Sequence, residues 1–156
     1  MNDADRLRAI QRAPNLYPAL DHHLGEIIGH KLFTLMVIDR AANEAARLYS
    51  SNPRSYPVKG RKPLGDLSRW GDHVLGKGLP YIGSSADDIR SVFPDHKIIA
   101  SLGCESVLNV PVMTGGLVIG TINLLHDAGW YQPEHAERCA PFAALLESSF
   151  LAWTSS

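Results

Sequence analysis

Two apolar runs joined by a glycine pair constrain this chain more than any other stretch. Residues 102–112 lead through Gly115-Gly116 into residues 117–126, a pattern that predicts a β-hairpin. Both runs are too apolar to leave one face in water, so the hairpin is expected at the centre of a sheet covered on both sides. Cys104, Glu105, Ser106, Asn109, Thr121, Asn123 and His126 interrupt it. Polar groups inside a covered sheet need partners. Either they pair with one another and with backbone, or some of them line a ligand pocket.

At 156 residues the chain is expected to form one domain with a real core. Fifteen basic against 16 acidic residues leave a formal charge of −1, which gives no electrostatic footprint for nucleic acid or an anionic membrane. Cys104 and Cys139 are too few for a disulfide framework, and from the polar N-terminus neither a signal peptide nor a membrane span is expected. A cytoplasmic, reduced protein is expected.

Before the hairpin, residues 4–12 and 15–30 read as amphipathic helices. His22, His23 and His30 lie on the second at spacings that do not suggest a shared metal. Residues 33–39 and 46–51 read as a second hairpin. The loop 52–63 carries Arg54, Lys59, Arg61 and Lys62 and no acidic residue. It is either a solvated loop or a lid that attracts an anionic ligand. Residues 67–75 read as a helix capped by Asp66, residues 79–83 as a short strand, and 86–90 and 95–102 as short helices. Such short elements between two firm hairpins are where a cavity is expected. After the central hairpin, Pro133 starts a helix on which Ala136, Cys139, Ala143, Leu146, Phe150 and Trp153 form a heptad-like stripe, with a kink expected at Pro141. Phe142, Leu145 and Leu151 widen this surface enough to face both the sheet and a partner subunit.

The order of elements is α+β with an antiparallel sheet. The motif Gly103-Cys104-Glu105-Ser106-Val107-Leu108-Asn109-Val110-Pro111-Val112, followed by Gly120-Thr121-Ile122-Asn123-Leu124-Leu125, resembles the signature of the GAF domain family. The segment Gly78-Leu79-Pro80-Tyr81-Ile82 with Asp87-Asp88 is similar to that family's preceding strand and loop. The resemblance spans residues 16–152 of a single domain. It implies a GAF/PAS-like central sheet of five or six strands, terminal helices on one face, and short helices and loops over a pocket on the other.

Which hairpin residues face the pocket depends on register. A two-residue turn places Leu108 opposite Asn123, whereas a three-residue loop with a left-handed glycine places Asn109 opposite Asn123. The second is preferred because Glu105, Val107, Asn109, Asn123 and Leu125 then share one face, leaving apolar Leu108, Val110, Ile122 and Leu124 for the helices. The expected ligand-binding set is Tyr49, Ser51, Trp70, His73, Tyr81, Asp88, Phe93, Glu105, Asn109, Asn123 and Leu125.

The resemblance implies a small-molecule-binding sensory module. With no kinase, cyclase, phosphodiesterase or DNA-binding segment expected in 156 residues, its output would pass through a homodimer of first and last helices, or through a partner protein. One alternative is an enzyme similar to the GAF-fold free-methionine sulfoxide reductases. That family's catalytic cysteine falls here at Ala100, and its pocket carboxylates at Val107 and Leu125. Another is a dimeric scaffold with a vestigial pocket. No Cys-His dipeptide of the bilin-binding members occurs. Of the cyclic-nucleotide pattern only the aromatic, at Tyr131, survives. Neither metal nor a particular cofactor is indicated.

Overall fold

The strands alternate between two interiors, broken only where a bulge intervenes, and this alternation positions the site. The computed structural model describes residues 1–58 and 60–154, with backbone alone for residues 66–68. Lys59 and the cap expected from the Asp66 side chain therefore lie outside the described residues. Strand β1 (Leu32–Asp39) sends Phe33, Leu35 and Val37 to one core, and Leu32, Met36 and Ile38 to the other side of the sheet. β1 pairs with β2 (Glu44–Ser50), which pairs with β3 (Arg61–Pro63). On its other flank β1 meets β6 (Leu117–His126), then β5 (Ser106–Thr114) and β4 (Tyr81–Gly83), closing a six-stranded antiparallel sheet in the order β3-β2-β1-β6-β5-β4. The central hairpin is thus in the middle, as the apolar runs require.

Helices α1 (Asp3–Arg12), α2 (Leu16–Ile27), α6 (Pro133–Ala144) and α7 (Glu147–Thr154) cover one face. The other face lies under a 3₁₀ turn (Leu64–Leu67), α3 (Ser68–Trp70), a π turn (Gly71–Gly76), α4 (Ala86–Val92) and α5 (His96–Ser101). The single helix expected over residues 67–75 is thus three short helical types in succession. β3 had no counterpart in the expected strands.

The hairpin register corrects one part of the expectation and keeps another. Gly115 and Gly116 have φ of +52° and +82° and form a two-residue turn between paired Thr114 and Leu117. The three-residue loop is absent. A bulge then leaves Ile119 unpaired, since Met113 opposes Val118 while Val112 opposes Gly120. This one-residue slip brings Asn109 opposite Asn123 after all.

Most of the stripe on the last helices packs within the chain, while Trp153 is half-buried and Leu151 exposed. Ala136, Cys139, Phe142, Ala143, Leu146 and Phe150 are all buried against the sheet and α2 side. Gly120 lets the Phe150 ring lie on β6, because a Cβ there would stand 2.4 Å from both that ring and the Met36 carbonyl oxygen. Pro141 sits inside α6 without ending it. The helix breaks three residues beyond Pro141, where Leu145 and Leu146 donate to the carbonyls three residues back. α2 ends at Ile27, so His30 lies beyond it and pairs with Asp21 at 2.7 Å.

Candidate functional site

On the face away from the terminal helices the sheet presents Thr34, Asn109, Thr121 and Asn123 to a small cavity of about 30 Å³. One or two water molecules would fill it. Val107, Leu125, Met36, Ile38 and Ala45 complete the floor, Trp70, Phe93 and Ile99 form the roof, and Tyr56 and Lys62 close the β3 end.

The floor carries a directed chain of hydrogen bonds. Trp70 Nε1 donates to Asn109 Oδ1 at 2.9 Å, Asn109 Nδ2 to Asn123 Oδ1 at 2.7 Å, and Asn123 Nδ2 to Thr34 Oγ1 at 3.1 Å. An indole N–H can only donate. It therefore fixes the Asn109 amide with its oxygen toward the indole, which turns the nitrogen to Asn123 and orients that amide in the same sense. Thr34 at the end must accept, leaving its own proton for another acceptor. One donor at the roof thus sets the polarity of the whole floor. Thr121, only 1% exposed, has a hydroxyl with no hydrogen-bond partner among the described residues.

The β3 end is charged. Lys62 Nζ lies 2.8 Å from Asp95 Oδ2 and donates to the Tyr56 hydroxyl at 2.8 Å, while the Tyr56 hydroxyl donates to the same Asp95 oxygen. The Lys62 and Asp95 side chains are only 13% and 16% exposed. Arg47, on β2, is 5% exposed, stacks 3.7 Å above the Tyr56 ring and donates to the Pro57 carbonyl at 2.6 Å. Burial lowers the Lys62 ammonium to about 7, Arg47 adding to the effect, and burial raises the Asp95 carboxyl. The contact between Lys62 and Asp95 opposes both shifts.

Of the eleven residues expected at the site, Trp70, Phe93, Asn109, Asn123 and Leu125 line this cavity. Tyr81 pairs across from Asn109 and packs edge-on to Phe93 behind the lining. The others lie elsewhere. Tyr49 faces the terminal helices, donating to Asp21 Oδ2 at 2.7 Å, because a bulge at Leu48 turns it from the face of Arg47. Ser51 is exposed, its hydroxyl oxygen accepting from the Phe33 amide at 2.9 Å. His73 bonds the Pro80 carbonyl at 2.8 Å, Asp88 Oδ2 accepts from the Ser84 amide at 2.8 Å, and Glu105 is exposed.

Sequence reasoning missed Thr34, Met36, Ile38, Ala45, Tyr56, Lys62, Ile99 and Thr121 as lining residues, and Val107 was placed on this face without being named to the site. For the cations the usable signal was the acid-free basic loop.

The two thiols stand apart. Cys104 packs on the cavity side and Cys139 in the helix-side core, both buried, and burial pushes them up to about 11 and about 12. A thiolate attack with a resolving partner needs an accessible, readily ionised thiol and a second within reach, and these two buried thiols in separate clusters supply neither. Among the described residues no group of three His, Cys, Asp or Glu side chains could hold a metal ion, and no helix is long and apolar enough to cross a membrane.

No family model matches the sequence, and no curated protein does. Solved structures match closely in shape. The chromophore-binding domain of a bacteriophytochrome from Stigmatella aurantiaca superposes with a TM-score of 0.71 at 15% identity, covering 96% of this chain and 58% of that one. A GAF domain from a phosphoenolpyruvate-protein phosphotransferase of Coxiella burnetii gives 0.71 at 20%, covering 97% and 94%. A segment of a methyl-accepting chemotaxis protein gives 0.70 at 15%, covering 98% of each. The chain spans about three fifths of two bacteriophytochrome chromophore-binding domains that it matches, at 58% and 59%. The fold is therefore the GAF fold, an α+β architecture with one antiparallel sheet between two helical layers.

Proposed function

We propose that this chain is a sensory module that binds a small molecule in the Thr34–Asn109–Asn123 cavity and passes the signal to a second copy or a partner protein in the cytoplasm. The observation that carries this reading is the polar floor. A sheet face meant only for packing is mostly apolar, and at the centre of the opposite face β1, β5 and β6 present Leu35, Val37, Leu108, Val110, Ile122 and Leu124. Here three polar side chains and an indole form a connected relay beneath a cavity, an arrangement typical of small-molecule sites. The similar structures support the sensory part, because they come from a phytochrome, a phosphotransferase and a chemotaxis protein.

Binding moves the roof, since about 30 Å³ admits nothing larger than water. The roof has the means. Trp70 sits where a one-turn helix passes into a π turn, a conformation most often found at functional positions. The closed cavity also favours the second reading, a scaffold that binds no ligand.

Native mass spectrometry of the protein purified gently from its own host separates the two. A retained small molecule that is lost in Asn109→Leu/Asn123→Leu supports the sensor. A folded protein with no bound mass, whose cavity stays closed to small aromatic probes, supports the scaffold.

A further inference from the structure

The cluster at the β3 end is electrically unbalanced. In their charged forms Arg47 and Lys62 contribute two positive charges and Asp95 one negative, so among the described residues the wall of an apolar cavity holds a net charge of +1. Buried charge needs a counter-charge or full hydrogen bonding. Neither is complete, because Arg47 Nε and Asp95 Oδ1 are buried with no hydrogen-bond partner among the described residues. Lys62 is the cation that reaches the lining, 5.6 Å from the Phe93 ring and 5.4 Å from the Tyr56 ring. A single excess positive charge at the end of a mostly apolar, aromatic-roofed slot fits one negative charge on an apolar body. A dianion would overcompensate it.

We propose that the cavity receives a small monocarboxylate with a compact aromatic or apolar body, its carboxylate against Lys62 and Tyr56 and its body on the Asn109–Asn123 floor beneath Trp70 and Phe93. This rests on the ligand-binding reading above and specifies its chemistry. Tyr56 and Lys62 turn from Asp95 toward the ligand, and Asp95 keeps the ammonium in place while the cavity is empty. Among the described cations of the acid-free loop, Arg61 is already paired with Asp39 and Glu44, and Lys62 is the one that lines the cavity.

The test is a titration of the purified protein with benzoate and phenylacetate against the isosteric neutral benzamide and phenylacetamide. Tryptophan emission and the unfolding temperature are followed. The acids are expected to bind saturably and about tenfold or more tightly than the amides. Lys62→Met removes that preference, and Asp95→Asn, which raises the local positive charge, strengthens acid binding. Opposite signs in two variants cannot come from a shared loss of folding. Equal binding of acids and amides, or a preference that survives Lys62→Met, overturns the carboxylate assignment and leaves the sensor standing. Four probes without effect on the folded protein overturn the carboxylate assignment, and the sensor reading falls with it only if the host-purified protein also retains no small molecule.

Discussion

On the helix side of the sheet, Leu108, Val110, Ile122 and Leu124 lie buried with Phe142, Leu146 and Phe150. On the other side the same strands present Asn109, Thr121 and Asn123 beside Val107 and Leu125, under short helical pieces instead of long ones. Neighbours in one strand thus serve opposite ends. Leu108 is held by an interlocking layer whose removal leaves a void. Asn109 is held by partners that could each exchange one hydrogen bond for another. The first arrangement fixes the fold, and the second leaves room for a ligand to compete.

This contrast breaks most visibly at Phe150. Its ring lies on Gly120 with no exposure, so Phe150→Ala should cost about 3–5 kcal/mol in urea unfolding. A loss as small as those on the cavity side would show that the helix face is not the stabilising one. Next comes Trp70→Phe, which keeps an aromatic roof and removes the indole donor. A cost of about 1–3 kcal/mol is expected, together with loss of the fixed amide orientation, readable from the Asn109 and Asn123 side-chain NH₂ resonances. Unchanged resonances would remove the indole as the source of the floor's polarity.

Lys62 gives the smallest effect and a sign. Burial holds its folded pKa near about 7, against the ordinary 10.5, so the unfolded chain binds more protons between those values. Stability therefore rises with pH across that window and is lost as pH falls toward 7. Asp95, whose carboxyl burial raises from 3.8, and Arg47 and Tyr56 are the other ionisable groups packed around Lys62. Lys62→Met should flatten the rise. An identical pH profile in the variant would show that Lys62 does not titrate there.

The sheet's two faces were legible in the sequence because a period of two is imposed by the strand itself. Asn109, Asn123 and Leu125 could be placed together on that ground, with Leu108 and Leu124 opposite. The turn could not be read in the same way. Gly115-Gly116 supports a two-residue turn, and the bulge at Ile119 that restores the pairing carries no local signature. The bulge at Leu48 had the larger consequence. Alternation from Ala45 through Arg47 sends Tyr49 to the cavity, and one extra residue sends it to Asp21 instead. Lys62 was hidden for a different reason. Arg61-Lys62-Pro63 has the composition of a solvated loop, and only pairing with Glu44, Ala45 and Ala46 makes it a strand that turns the lysine inward.

Adjacent residues in β5 offer the most direct measurement of whether the two faces do different work. Leu108→Ala and Asn109→Leu/Asn123→Leu are compared by urea unfolding and by titration with the ligand retained from the host or, failing one, with benzoate. Leu108→Ala is expected to lose about 2–5 kcal/mol of stability while the folded fraction still binds. The double amide variant is expected to lose no more than about 2 kcal/mol, the cost of stranding the indole and threonine partners, and to lose binding. The reverse pattern, with amides essential to stability and indifferent to ligand, would contradict the assignment of the polar face to binding.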